Sequence, residues 1–251
     1  MLVTNFQAEA FATNCWILSV GRGQECIVVD PGMPNVSEQL AEKLAEFDLK
    51  PVATLITHGH LDHTFSVQPI CDGYGIPAMI HEADRELLLH PERAHGAEFI
   101  KQLAGIEWIE PKDVIELKDG QIFDLVGLQF KAIHAPGHTK GSLMFEVNGE
   151  VLISGDVLFA GSIGRTDLPG GSFAAMEKSL REKVLPLPDV MQVLPGHGPE
   201  TSIGRERKYN DRTRLRRGGD DNCAERFGGT CKESWGISCA IKTSWNSIGC
   251  R

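Results

Sequence analysis

The stretch Thr57-His58-Gly59-His60-Leu61-Asp62-His63 decides how the rest of the chain is read. Four metal-capable side chains, His58, His60, Asp62 and His63, fall within six residues. The run that starts just before them, Val52-Ala53-Thr54-Leu55-Ile56-Thr57, is apolar and β-branched, as a buried strand is. Gly59 lets the chain turn sharply off the end of that strand. A rigid strand fixes where such a turn begins, so side chains on the turn can converge on one point. Neutral imidazole suits zinc, iron and similar ions, and a carboxylate adds a harder ligand. The rival reading is a polar loop that happens to be rich in histidine. Three His and one Asp this densely placed argue against it.

Outward from this turn, the chain alternates strand and helix. Leu2–Phe6, Asn14–Val20 and Glu25–Val29 read as strands, the last stopped by Asp30-Pro31-Gly32. Asn35 is a candidate helix cap with Glu38 three residues on. Val36, Leu40, Leu44 and Phe47 then form one apolar helical face. After the histidine turn a helix is expected from about Thr64 to Tyr74. The segment Ile80 to Trp108 is helical in tone but irregular. Its His81, His90 and His95 read as surface or packing histidines. From Val114 to Val157 glycines punctuate four strands, Gln121–Asp124, Leu128–His134, Ser142–Val147 and Val151–Ser154. Ser172 opens a helix through Leu185, and Met191–Leu194 is the last good strand. The class expected is α/β.

The chain has 251 residues, enough for one large α/β domain, or one domain with an appendage. Hydrophobic residues make up 41% and charged residues 24%, as in ordinary globular proteins. The net charge of −9 argues against a nucleic-acid partner, which calls for a basic face. No apolar run approaches the roughly 20 residues of a membrane span. The N-terminus lacks the basic and apolar regions of a signal peptide, so a cytoplasmic location is expected. Cys15, Cys26 and Cys71 read as small buried hydrophobes.

Three later segments are built to complete the first. Ala135-Pro136-Gly137-His138-Thr139 presents His138 just past a strand. Leu152-Ile153-Ser154-Gly155-Asp156 presents Asp156, and Val193-Leu194-Pro195-Gly196-His197-Gly198 presents His197. One Pro-Gly-His alone is weak. All of them at strand ends, beside His58-x-His60-x-Asp62-His63, are specific for a metal site.

These residues carry a family resemblance. Thr-His-x-His-x-Asp-His at 57–63, Pro-Gly-His-Thr-x-Gly-Ser at 136–142, Ser-Gly-Asp at 154–156, Gly-Arg-Thr-Asp at 164–167 and Pro-Gly-His-Gly at 195–198 occur in order. The chain resembles the metallo-β-lactamase-fold hydrolases, and among them the short glyoxalase II-like (hydroxyacylglutathione hydrolase-like) proteins. The resemblance covers essentially residues 1–204. It implies a metallo-β-lactamase-type αββα sandwich with metals at one edge between two sheets.

It also implies a division of ligands. His58, His60 and His138 would hold a first metal ion, and Asp62, His63 and His197 a second, with Asp156 bridging. Two divalent ions about 3.5–4 Å apart can share one hydroxide, whose formation they favour at neutral pH. Zinc is the first expectation, with iron or manganese as alternatives. Asp62 and Asp156 are the catalytic carboxylates on this reading. The reaction implied is hydrolysis of a thioester such as S-lactoylglutathione, or of another S-acyl thiol, by that metal-bridging hydroxide. Its rivals on the same fold are persulfide dioxygenation at a single iron and lactam or lactone hydrolysis. Asp30 and Thr57 are candidates to orient the His ligands through their other ring nitrogens. Arg165 is a candidate substrate-binding residue, against the simpler expectation of an Arg165–Asp167 pair. His134 alternates away from the site and reads as structural.

Residues 205–251 differ in character. They carry 11 Lys+Arg against 6 Asp+Glu and four cysteines, Cys223, Cys231, Cys239 and Cys250. They read as a basic, poorly ordered C-terminal tail, dispensable for catalysis after about Tyr209.

Overall fold

The computed structural model describes residues 1–33, 36–96, 99, 101 and 105–212. The proposed cap Asn35 and the tail beyond Arg212 lie outside these residues.

Two six-stranded sheets face each other. The first holds β1 (Leu2–Gln7), β2 (Asn14–Ser19), β3 (Glu25–Val29), β4 (Lys50–Leu55), β5 (Ala78–His81) and β6 (Val114–Leu117), in that order. The hairpin strands β1, β2 and β3 pair antiparallel, while β3, β4, β5 and β6 run parallel. Parallel strands require crossovers, and α1 (Val36–Phe47) and α3 (Val67–Tyr74) supply two of them. The second sheet runs β12 (Thr201–Ser202), β11 (Gln192–Pro195), β10 (Val151–Gly155), β9 (Leu143–Val147), β8 (Leu128–His134), β7 (Ile122–Leu125). Among the described residues only β10 and β11 pair parallel there, across the crossover that contains α6 (Phe173–Ser179). Further helices among the described residues include α2 (Leu61–Thr64), α4 (Glu82–Arg85), α5 (Glu92–His95) and α7 (Ile203–Tyr209).

Strand alternation explains the layers. Trp16, Leu18, Ile27, Val29, Ala53 and Leu55 of the first sheet meet Phe130, Ala132, Leu143, Phe145 and Ile153 of the second in one buried cluster. The opposite face of the first sheet, Cys15, Ile17, Cys26 and Val28, buries Val36, Leu40 and Leu44 of α1. The αββα expectation holds, and the two strand cysteines, Cys15 and Cys26, and the helical Cys71 serve as small core residues.

Several boundaries differ from expectation. The helix expected from Thr64 starts instead at Leu61 and breaks at Phe65-Ser66 before α3. Ala78–His81, whose last two residues fall in the region expected to be helical, is a fully buried parallel strand. Four buried residues in a row carry no periodicity that separates strand from helix. The helix from Ser172 widens into a π-helical turn at Leu180–Val184.

Residue 204 falls inside α7, which runs Ile203–Tyr209. The Glu206 carboxylate is buried and accepts from the Thr201 hydroxyl at 2.6 Å and the Gly161 N–H at 2.7 Å. Asn210 is fully buried and donates to the Ser162 carbonyl at 2.9 Å. A polar helix joins the core here through hydrogen bonds rather than an apolar stripe, which is why its sequence reads as tail.

Candidate metal centre

The ligand turn leaves the C-terminal end of β4, and its backbone alternates in a specific way. The N–H groups of Thr57, Gly59 and Leu61 are each captured by a side chain. Asp30 Oδ1 accepts the first at 2.8 Å, Asp84 Oδ2 the second at 2.9 Å, and His95 Nε2 the third at 2.8 Å. The residues that alternate with them, His58 and His60 between and Asp62 just after, are thereby free to aim their side chains at one place.

His138 arrives from the turn after β8, Asp156 from the end of β10 and His197 from the end of β11. The seven predicted ligands come together. Ligand atoms lie within 4.8 Å of one another in three groups: His58, His60 and His138; His58, His63 and Asp156; and Asp62, His63 and His197. Asp156 reaches both sides, with Oδ2 3.4 Å from His138 Nε2 and Oδ1 3.5 Å from His63 Nε2.

The outer ring nitrogens of four of the five histidines are occupied. His63 Nδ1 donates to Asp30 Oδ2 at 2.9 Å. The Thr57 hydroxyl donates to that same oxygen at 2.6 Å, so its own oxygen is left to accept from His58 Nδ1 at 3.1 Å. His138 Nδ1 donates to the Arg165 carbonyl at 2.7 Å, and His197 Nδ1 to the Phe11 carbonyl at 3.0 Å. Asp30 and Thr57 therefore orient two of the histidines. With Nδ1 used as a donor, each ring offers Nε2 inward. Those nitrogens crowd: His58 and His138 Nε2 lie 3.1 Å apart, and His63 and His197 Nε2 3.2 Å apart. His60 Nε2 and Asp156 Oδ1 are buried without a hydrogen-bond partner. Converging lone pairs and orphaned acceptors are what a divalent cation satisfies, so the residues fit a metal centre.

The electrostatics agree. Burial, with the neighbouring imidazoles, holds His58 and His60 well below the usual histidine pKa, which keeps them neutral. Burial opposes charge on His63 too, but Asp156, Asp62 and Asp30 outweigh it and raise that imidazole to about 10. Burial likewise works against the Asp62 carboxylate, yet His63 and His197 pull it well below the usual range. The carboxylates thus make this a site for positive charge.

Arg165 stands apart from the seven. Its guanidinium forms a bidentate pair with Asp167, both bonds 2.8 Å, and its side chain is 59% exposed. Its service to the cluster is the carbonyl that holds His138. His134 stacks on His81 at 4.0 Å, and both lie off the cluster, as expected for His134. His90 is exposed and beside Glu92. His95 is a packing histidine with a task, since it caps the ligand turn. Asp84 and Thr13 escape sequence reading. The Thr13 hydroxyl donates to Asp62 Oδ2 at 3.3 Å, from the loop before β2. No local pattern flags either residue.

The sequence profile described as "Metallo-beta-lactamase superfamily" matches residues 8–197. The chain belongs to this superfamily. It is similar to an uncharacterized protein of Mycobacterium tuberculosis, 42% identical over 217 residues, covering 84% of this chain and 96% of that one. The hydroxyacylglutathione hydrolase GloC of Haemophilus influenzae is 35% identical over 206 residues, covering 80% and 92%. Among solved structures, the B3 metallo-beta-lactamase BLEG-1 superposes with a TM-score of 0.74 at 34% identity, covering 84% and 98%. TTHA1623, in a di-iron-bound form, gives 0.69 at 31%, covering 83% and 98%. Among the described residues no helix is long and apolar enough to cross a membrane.

Proposed function

We propose that this superfamily member hydrolyses thioesters, S-lactoylglutathione or another S-acyl thiol, with two divalent metal ions. His58, His60 and His138 would hold the first ion, Asp62, His63 and His197 the second, and Asp156 both. When bound, such a pair supplies a hydroxide at neutral pH and polarises an acyl carbonyl. One observation carries the two-ion reading: the Asp62, His63 and His197 group lies intact beside the His58, His60 and His138 group. A single-iron persulfide dioxygenase uses only the first group, and nothing in its chemistry calls for the second.

The chain's own residues have distinct tasks. Asp62 and Asp156 are the catalytic carboxylates, Asp156 by lying between the two groups and Asp62 by completing the second. Asp30 and Thr57 fix the His63 and His58 rings so that Nε2 faces the reacting groups. Arg165, exposed beside the His138 loop, is the proposed contact for an anionic thiol carrier, at the cost of releasing Asp167. Zinc is the proposed metal, and the similarity to a di-iron-bound protein makes iron the alternative. The similarity to GloC supports the thioester substrate. The similarity to BLEG-1 supports lactam hydrolysis as a second activity.

The test is metal analysis of the purified protein, with free-thiol release from a panel of acyl thiols. Two metals per chain and thiol release are expected. One iron per chain, oxygen uptake with a persulfide and no thiol release would overturn the proposal. A chromogenic lactam in the same assay measures the second activity.

A further inference from the structure

Asp84 belongs to neither ligand group, yet it joins the loops that carry one of them. It stands on α4 and is 1% exposed. Its Oδ2 accepts the Gly59 N–H at 2.9 Å and the Thr139 hydroxyl at 2.6 Å, and its Oδ1 accepts the Gly141 N–H at 2.7 Å. Gly59 separates His58 from His60, and Thr139 directly follows His138. The two loops hang from opposite sheets, one from β4 and the other from β8.

The close approach is built into both loops. A Cβ on Gly141 would lie 2.6 Å from Asp84 Cγ, and one on Gly59 2.7 Å from Leu87 Cβ. A buried carboxylate is costly unless its oxygens are filled, and hydrogen bonds to a charged acceptor are the stronger kind. Three such bonds hold the loops at one separation. None of them ends on Asp62, His63, His197 or the residues adjoining His197. Asp30, by contrast, bonds to His63 directly and to His58 through Thr57.

We propose that Asp84 is the positioning residue of the first metal subsite, setting the spacing of His58 and His60 against His138. This inference rests on the two-subsite reading above. A merely structural role for Asp84 would lower the stability of the fold without distinguishing between subsites.

The experiment places Asp84→Asn in two single-site backgrounds. Asn has the same shape but turns one acceptor into a donor, which faces the Gly59 or the Gly141 N–H. His197→Ala disables the second subsite and His138→Ala the first. Zinc alone is the probe, titrated into chelator-stripped protein against a chromogenic chelator, with native mass spectrometry for stoichiometry. Partners one shell out typically shift affinity about 10–100-fold, so that loss is expected in the His197→Ala background, with less than a ~2-fold change in the His138→Ala background. Equal losses in both, or none in either, would overturn the proposal. If the two parent variants do not each bind one zinc, the two-subsite reading falls and takes the proposal with it. Thr139→Val guards against misfolding, since it keeps the hydrogen bonds that the Gly59 and Gly141 N–H groups donate to Asp84 and removes only the hydroxyl. It should weaken zinc in the same background, to a smaller degree, with the metal-free circular dichroism unchanged. Equal zinc loss in both backgrounds would count against Asp84 here as well.

Discussion

Asp30→Asn is the sharpest probe of the metal centre. Asp30 is 2% exposed and accepts three hydrogen bonds, from the Thr57 N–H, the Thr57 hydroxyl and His63 Nδ1. Its φ of +49° is in the left-handed region, which Asn tolerates, so the backbone should survive the exchange. The new amide can keep Oδ1 on the Thr57 N–H, but its NH2 then faces two donors. The Thr57 hydroxyl can rotate and accept. The His63 N–H cannot, and a buried unpaired donor costs roughly 1–3 kcal/mol. For a domain of this size that is a fall in melting temperature of roughly 2–12 °C. His63 can recover the bond by moving its proton to Nε2, but that nitrogen is then lost as a ligand. Zinc affinity at the Asp62, His63 and His197 group should therefore fall about 10–100-fold. Thermal melting of chelator-stripped protein reads the first effect, and zinc competition reads the second. If melting stays within a degree and zinc affinity is unchanged, Asp30 does not set the His63 tautomer, and the orientation argument fails.

Asp156→Ala and His60→Ala should each abolish thiol release and lower metal content. Normal turnover with full metal content in either variant would refute the site. Asp62→Ala should keep one metal per chain and lose most of the second, and an unchanged metal count would argue against the partition. Removing metal with a chelator should lower the melting temperature, and readding zinc at 100 times its Kd should restore about 2.7 kcal/mol of stability. An unshifted melt would mean that the converging nitrogens bind no ion. Truncation after Arg214 should leave thiol release and melting unchanged. Truncation after Tyr209 removes Asn210, with its bond to the Ser162 carbonyl, and should cost roughly 1–3 kcal/mol. Equal melting temperatures for the two truncations would show that Asn210 does not close the domain, whereas loss of turnover at Arg214 would give the tail a role in the substrate site.

The sequence by itself determined the parts that are local. An apolar strand that ends in a glycine turn announces a presented ligand. Four such presentations, at His58 to His63, His138, Asp156 and His197, are legible because strand and ligand are neighbours in the chain. The inter-sheet layering was legible only through the family resemblance, and along Leu128–His134 the inside–outside alternation holds as far as Ala132 and breaks at the buried Ile133. The tertiary structure alone decided which further residues serve the centre. Glu82 and Asp84 are two acids on one short helix, and nothing in their spacing separates them. The fold exposes Glu82 and buries Asp84 against Gly59 and Thr139, 25 and 55 residues away in sequence. His95 and Thr13 reach the centre in the same way, from segments whose own patterns are unremarkable. Strand and turn preferences act within a few residues, whereas a buried hydrogen bond depends on where two sheets meet. That meeting is fixed by the packing of Trp16, Leu55, Phe130 and Phe145 in the shared core, far from any motif.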